Sequence, residues 1–329
     1  MDTRRPTNPA AEEILGGYFP VLDHGFVALV DYMGNDDSVE RAARVSYGYG
    51  TRPRSQTRGL IRYLRRHLHT TPSEMVEFKF HCAMPMFVAR QWVRHRSASI
   101  NEYSARYSLL PLLFYTPDTE HFSLQSADNK QGRREAAAAE ELRSEAVRRW
   151  EEIRRSAGDT YGWLIENDVA RELARIDLPV STYTQWYWKI DLHNLLHFLT
   201  LRVDPHAQYE IRAFAEVIAG IVKRVAPLSY EAWVDYGLSA APLSRMERAA
   251  LARLVEADGE GALSARTGAR LSEEELKELG LSARERRELV AKLVEPPARD
   301  FELDLSCMRD PASIEEEMRR AVPAVDLPD

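Results

Sequence analysis

The chain has 329 residues, 44% of them hydrophobic and 29% charged, with a formal net charge of -7. That balance fits one large domain, or one domain with an appendage, and lacks the general basic surface that nucleic-acid backbones select. No apolar run approaches the ~20 residues that a membrane-crossing helix requires.

The first residues, MDTRRPTNPAAEEILGG, carry two arginines with no apolar core behind them. They do not read as a secretory signal, and a cytoplasmic protein is expected. Residues 25–31, GFVALVD, read as a strand, and 38–47 as a helix entering a turn at SYGYG. A helix is expected over 57–68, with Leu60, Tyr63, Leu64 and Leu68 along one stripe. Arg52, Arg54, Arg58, Arg62, Arg65 and Arg66 form a local basic run there, which keeps a nucleic-acid reading in view. Residues 75–82, MVEFKFHC, alternate so that Val76, Phe78, Phe80 and Cys82 share one strand face. Cys82 reads there as a small hydrophobe, and with Cys307 as the other cysteine neither a disulfide framework nor CxxC chemistry is available. Pro85 suits the first turn of a helix that runs through MFVARQWVRHR.

The next stretch, RHRSASINEYSARY from Arg94 to Tyr107, has a composition that burial cannot select. Only Ala98, Ile100 and Ala105 offer a core, against three arginines, His95, three serines, Asn101 and Glu102. Guanidinium forks match phosphate and carboxylate oxygens, and Ser99 and Ser104 can add hydroxyl donors. Glu102 can pin an arginine or accept from a ligand. A solvated arginine-rich loop would share this composition. The strand and helix that lead into it argue instead for a supported site binding an anionic small molecule with a sugar or base.

Residues 117–132 read as a loop, 134–156 as a long surface helix and 159–175 as a second helix ending at Arg175. Residues 181–190, STYTQWYWKI, read as an aromatic strand. Asp191 can cap a helix whose buried stripe is Leu192, Leu195, Leu196 and Leu199. His193 and His197 stand four apart off that stripe, Arg202 closes the helix, and His206 follows in DPHAQ. Three histidines could grip a metal, but the zinc hydrolase pattern needs a glutamate where Asn194 stands. Arg175 and Arg202 could each serve only to complement a helix dipole. Beyond residue 238, Ser244 with Glu247, Ser272 with Glu275, Ser282 with Glu285 and Ser313 with Glu316 have capping-box spacing, separated by Gly280 and by Pro296 and Pro297. Each box starts a short amphipathic run, so a small helical appendage is expected that packs outside the core and carries no chemistry.

RHRSASINEYSARY resembles the RHRxxSxNExSxR motif of the flavin-dependent thymidylate synthases at every fixed position. FVARQW and LRVDPHAQYEI are also similar to that family, and the resemblance covers about residues 20–237, so the division it implies is an N-terminal segment over 1–19, a core over 20–237 and a helical extension over 238–329. It implies an α+β fold with a mixed helical and antiparallel-sheet core, and FAD held across the subunits of a homotetramer, without a GxGxxG loop. The implied reaction makes dTMP from dUMP with the methylene of 5,10-methylenetetrahydrofolate and reducing equivalents from NADPH. By the resemblance, Gln91, Arg94, Glu102, Ser104, Arg106, Arg175 and Arg202 face dUMP. Ser46, Thr71, Arg94, His95, Arg96, Glu102, Asp191, His193 and His197 face FAD. Arg202 is the catalytic group, lying against the uracil ring. The chain departs from the family at Met75, where a second histidine is usual after His69, Thr71, Pro72 and Glu74, and at Asp191, His193 and His197, where asparagine or arginine is frequent. The competing readings are a non-catalytic nucleotide or RNA binder and a metal hydrolase built on His193 and His197.

Overall fold

Five strands form one antiparallel sheet in the order β1-β2-β3-β7-β4, in a computed structural model that describes residues 5–46, 57–127, 132–257, 263–294 and 300–324. The strands are β1 (Tyr18–Val21), β2 (Gly25–Met33), β3 (Glu77–Pro85), β4 (Ser99–Glu102) and β7 (Tyr183–Asp191). The alternation read from 76–82 is realised: Phe80 pairs with Trp188 and Cys82 with Trp186, so the middle of one sheet face is apolar. Onto it pack α4 (Met86–Trp92), α7 (Leu192–Arg202) and α8 (Tyr209–Val225). Trp92 sits edge-on to Trp186 and Trp188 at 5.5 and 5.1 Å and stacks on Phe198. Burial pushes the Cys82 thiol well above its usual pKa, as for an inert core residue. Helices α1 (Pro9–Glu12), α2 (Asp36–Val45), α3 (Thr57–Arg66) and α9 (Pro227–Trp233) complete this side. The SYGYG turn beyond Ser46, with Arg52 and Arg54, lies outside the described residues, as do Pro296 and Pro297.

Several expectations are corrected. The stretch read as a loop over 117–132 contains β5 (Ser123–Gln125), which pairs antiparallel with β6 (Arg133–Ala137), where a helix had been expected to begin. Helix α5 runs unbroken over Glu140–Glu166, with no break before 159. Gly158 is not a breaker: a Cβ there would lie 3.2 Å from Leu112 Cδ1, so glycine admits that side chain. The chain leaves α5 at Asp168, which has φ 57, and only the short α6 (Arg171–Ala174) follows. Within the arginine-rich segment, Ser99–Glu102 is an exposed edge strand held by backbone pairing to β7.

The boundary also differs from 237/238. Residues up to Trp233 and from Phe301 onward form one unit, and Val234–Asp300 a second. In the first, the Phe301 N–H donates to the Tyr230 hydroxyl at 2.8 Å and its ring lies 6.4 Å from that of Trp233. Leu303 passes over Gly220, where a Cβ would come within 3.1 Å of it. Arg309 then exchanges backbone hydrogen bonds with Tyr18. Ile314 and Met318 of the terminal helix, Pro311–Arg320, pack against Phe26 and Ala83 on the sheet face opposite Trp92. The fourth predicted capping box is absent because Asp310, with Pro311 behind it, caps that helix and accepts from the Ser313 N–H at 3.0 Å.

The second unit contains α10 (Arg245–Leu254), α11 (Glu273–Glu278) and α12 (Ala283–Val294), started by the predicted boxes at Ser244, Ser272 and Ser282. The terminal helix of the first unit is therefore α13. The second unit is not purely helical, since β8 (Val255–Ala257) pairs with β9 (Leu263–Ala265). Ala250, Leu281 and Leu289 form its core. Among the described residues no helix is long and apolar enough to cross a membrane.

Candidate active site

Because β4 and β7 are antiparallel, the first residue of β4 sits beside the end of β7, where α7 begins. The Arg94–Arg96 bend therefore meets the polar side of α7. Together they enclose a cavity of about 380 Å³ lined by Arg94, His95, Arg96, Asn194, His197 and Arg202. The Arg202 Nε–H donates to His95 Nε2 at 3.0 Å. A guanidinium has no acceptor, so that ring nitrogen is unprotonated and the proton of the neutral imidazole is on Nδ1. Burial, then the charges of Arg202 and His197, hold the His95 pKa down to about 4. Phe198 supports the ring edge-on at 4.9 Å. Arg202 is thereby held at a defined angle at the cavity wall, which dipole complementation alone would not require.

Asp191 caps α7 as expected: Oδ1 accepts from the Asn194 N–H at 3.0 Å and Oδ2 from the Asn194 side-chain amide at 2.6 Å. Asp191 itself does not line the cavity; it orients Asn194, whose amide oxygen is left for a ligand. Sequence reasoning missed Asn194, although its place at the third position after a capping aspartate was the available signal. His193 Nδ1 is buried without a hydrogen-bond partner among the described residues. Thr71 opens a 3-10 turn, Thr71–Met75, that adjoins the start of α7, where the Leu192 N–H donates to the Val76 carbonyl at 2.8 Å. Ser46 ends α2, and both it and Thr71 are exposed. His206 pairs with Asp204 at 2.9 Å, and no group of three or more His, Cys, Asp or Glu side chains suited to a metal occurs among the described residues.

Glu102, Ser104, Arg106 and Arg175 gather at the other end of β4, roughly 10 Å away for a four-residue strand. Glu102 accepts from the Thr184 hydroxyl at 2.7 Å, and Ser104 Oγ from the Arg106 N–H at 3.3 Å. Arg106 lies 3.1 Å from Glu172 of α6, and Arg175 ends that helix. Gln91, on α4, donates to Gln208 Oε1. Arg94 and Arg96 are exposed and make no ion pair among the described residues, so their guanidiniums are available to an anion.

A family profile described as thymidylate synthase complementing protein matches residues 28–228. The flavin-dependent thymidylate synthase of Rickettsia bellii is 50% identical over 255 residues, covering 74% of this chain and 87% of the relative. The chain belongs to the flavin-dependent thymidylate synthase family. The enzyme of that name from Gluconobacter oxydans is 54% identical over 248 residues, covering 74% of this chain and 80% of its own. The one from Ruegeria pomeroyi is 48% identical over 293 residues, 87% of this chain and 91% of its own. A match of that extent cannot fit within residues 1–237, so likeness to this flavin-dependent thymidylate synthase continues past the expected limit. Among solved structures, the UMP/dUMP methylase PolB of Streptomyces cacaoi, bound with 5-Br dUMP, superposes with a TM-score of 0.60 at 34% identity, covering 66% of this chain and 98% of that one.

Proposed function

We propose that this family member makes dTMP from dUMP, taking the methylene group of 5,10-methylenetetrahydrofolate and reducing it through FAD that NADPH recharges. The observation that carries the reading is the cavity in which Arg202 is fixed on a neutral His95 beside Arg94, Arg96 and Asn194. The residues present suit a flavin nucleotide. Arg94 and Arg96 have unspent donors for its phosphates, and the Asn194 amide oxygen and the orphaned His193 Nδ1 offer partners for ring or ribose groups. His95 and His197 line the same cavity, Thr71 lies in the turn packed against α7, and we assign Thr71 and Ser46 to the flavin with them, while Asp191 acts by orienting Asn194.

A flavin dinucleotide is larger than the cavity of about 380 Å³. The second group, Glu102, Ser104, Arg106 and Arg175, stands at the far end of β4. That separation supports a site assembled from several copies of the chain, which we take to be a homotetramer, with Gln91, Ser104, Arg106 and Arg175 toward dUMP. When bound, the flavin supplies the hydride that turns the transferred methylene into a methyl group. Arg202 places a fixed positive charge against the uracil ring, favouring loss of the imide proton and making the ring carbon nucleophilic without an enzyme adduct. The cysteines fit that route: Cys82 is fully buried and its thiol protonated, and burial also raises the pKa of Cys307, whose thiol donates to the Asp304 carbonyl. We place the reaction in the cytoplasm.

The test is purification of the full chain, followed by assay with dUMP, methylenetetrahydrofolate and NADPH. Flavin absorption and dTMP formation that requires all three support the proposal. A colourless protein that cannot be loaded with FAD, or a yellow one that makes no dTMP, overturns it.

A further inference from the structure

The β5–β6 hairpin delivers Arg133 to a buried carboxylate near the start of α8. Glu210 is 3% exposed, and one η-nitrogen of Arg133 bridges both its oxygens at 2.8 and 2.7 Å. The Tyr115 hydroxyl donates to Oε1 at 3.1 Å and the Gln208 side-chain amide to Oε2 at 2.8 Å. Gln208 Oε1 in turn accepts from the Gln91 amide. Burial raises the Glu210 pKa, but the Arg133 hydrogen bond and charge, with Gln208, outweigh it and keep the group ionised. An ionised carboxylate accepts and never donates. Gln208 must therefore turn its NH2 toward Glu210 and its oxygen toward Gln91. Gln91 must answer with its own NH2, which leaves its carbonyl oxygen free. Amide orientation is usually a matter of assignment, but here every link follows from the one group that cannot reverse.

We infer that Glu210, clamped by Arg133, sets the hydrogen-bond polarity of Gln208 and through it of Gln91, so that Gln91 offers the nucleotide an acceptor and selects a donor group on it. The inference rests on the proposed placement of Gln91 toward dUMP. Glu210 and Arg133 touch no substrate in this scheme; they are positioning residues. The recognised group is an N–H or O–H of the nucleotide, either the imide of the base or the sugar 3′-hydroxyl.

The experiment measures dissociation constants on the full-length, FAD-loaded protein for dUMP, N3-methyl-dUMP and 3′-deoxy-dUMP. Each analogue lacks one donor. Wild type is expected to bind one of them about tenfold more weakly than dUMP, the cost of an unanswered acceptor once the nucleotide covers it. In Glu210→Gln both amides can reverse, and the preference should fall to about threefold or less. Gln208 is exposed, so Gln208→Met breaks the relay while both Arg133 hydrogen bonds to Glu210 remain, and it should show the same fall with flavin content unchanged. If Glu210→Gln fails to fold, Gln208→Met decides. Discrimination that persists in Gln208→Met, or its absence in wild type, overturns the inference while leaving the proposed function standing. Unaltered dUMP affinity in Gln91→Ala overturns the placement of Gln91, and this inference with it.

Discussion

His95 gives the chain a calculable dependence of stability on pH. Its pKa falls from 6.5 to about 4 on folding, through burial first and then the charges of Arg202 and His197. Between those values the unfolded chain holds a proton on this residue and the folded chain does not, so stability rises with pH across the window. The penalty is absent above about pH 6.5 and complete near pH 4. At 1.36 kcal/mol per pH unit the full shift would be worth about 3 kcal/mol, but His95 is half exposed and solvent screening reduces this to roughly 1–2 kcal/mol. The measurement is urea denaturation of wild type and His95→Gln at about pH 7.5 and about pH 4.5. A glutamine oxygen can still accept from Arg202. Other groups titrate alike in both proteins, so the loss between the two pH values should be larger in wild type by that 1–2 kcal/mol. Equal losses would show that His95 is protonated as readily in the folded chain as in the unfolded one, and would refute the Arg202–His95 geometry.

Replacing Arg202 by alanine should lower kcat for dTMP formation by about 10²–10³, the usual loss for one preorganised charge, and wild-type turnover would remove Arg202 from the chemistry. Arg202→Lys should rescue little, because an ammonium lacks the guanidinium fork by which Nε–H meets His95. Asp191→Ala should cost about 1 kcal/mol of stability through the lost cap and weaken flavin binding by releasing Asn194; thermal melting and flavin titration check both, and unchanged flavin affinity would dismiss the orienting role. Replacing residues 234–300 by a short Gly/Ser linker should leave the rest folded, since Trp233 and Phe301 already touch. A chain stopped near residue 240 should instead lose several kcal/mol, because Leu303, Ile314 and Met318 leave with it. Urea midpoints of the two variants decide this, and similar midpoints would mean that the terminal segment adds nothing to the sheet.

Local signals were dependable where one element chose its own residues. The alternation through Phe78, Phe80 and Cys82, the leucine stripe after Asp191 and three of the four serine capping boxes needed no distant partner, and the structure keeps them. The RHRSASINEYSARY motif gave the family before any coordinates, because its unusual chemistry is contiguous in the chain. Elements defined by what lies opposite were not legible. Ser99–Glu102 becomes a strand only because β7 presents an open edge, and Gly158 sits inside a helix at a place where a Cβ would crowd Leu112. The same holds for the parts of the site. Sequence order cannot show that Arg202 meets His95 across 107 positions, that Arg133 comes from a hairpin to neutralise Glu210, or that Phe301 returns to Tyr230 after a separate unit. A motif is readable when its groups are neighbours along the backbone, whereas an inserted unit or a buried charge network exists only once folding has brought distant segments close enough to exchange water for one another.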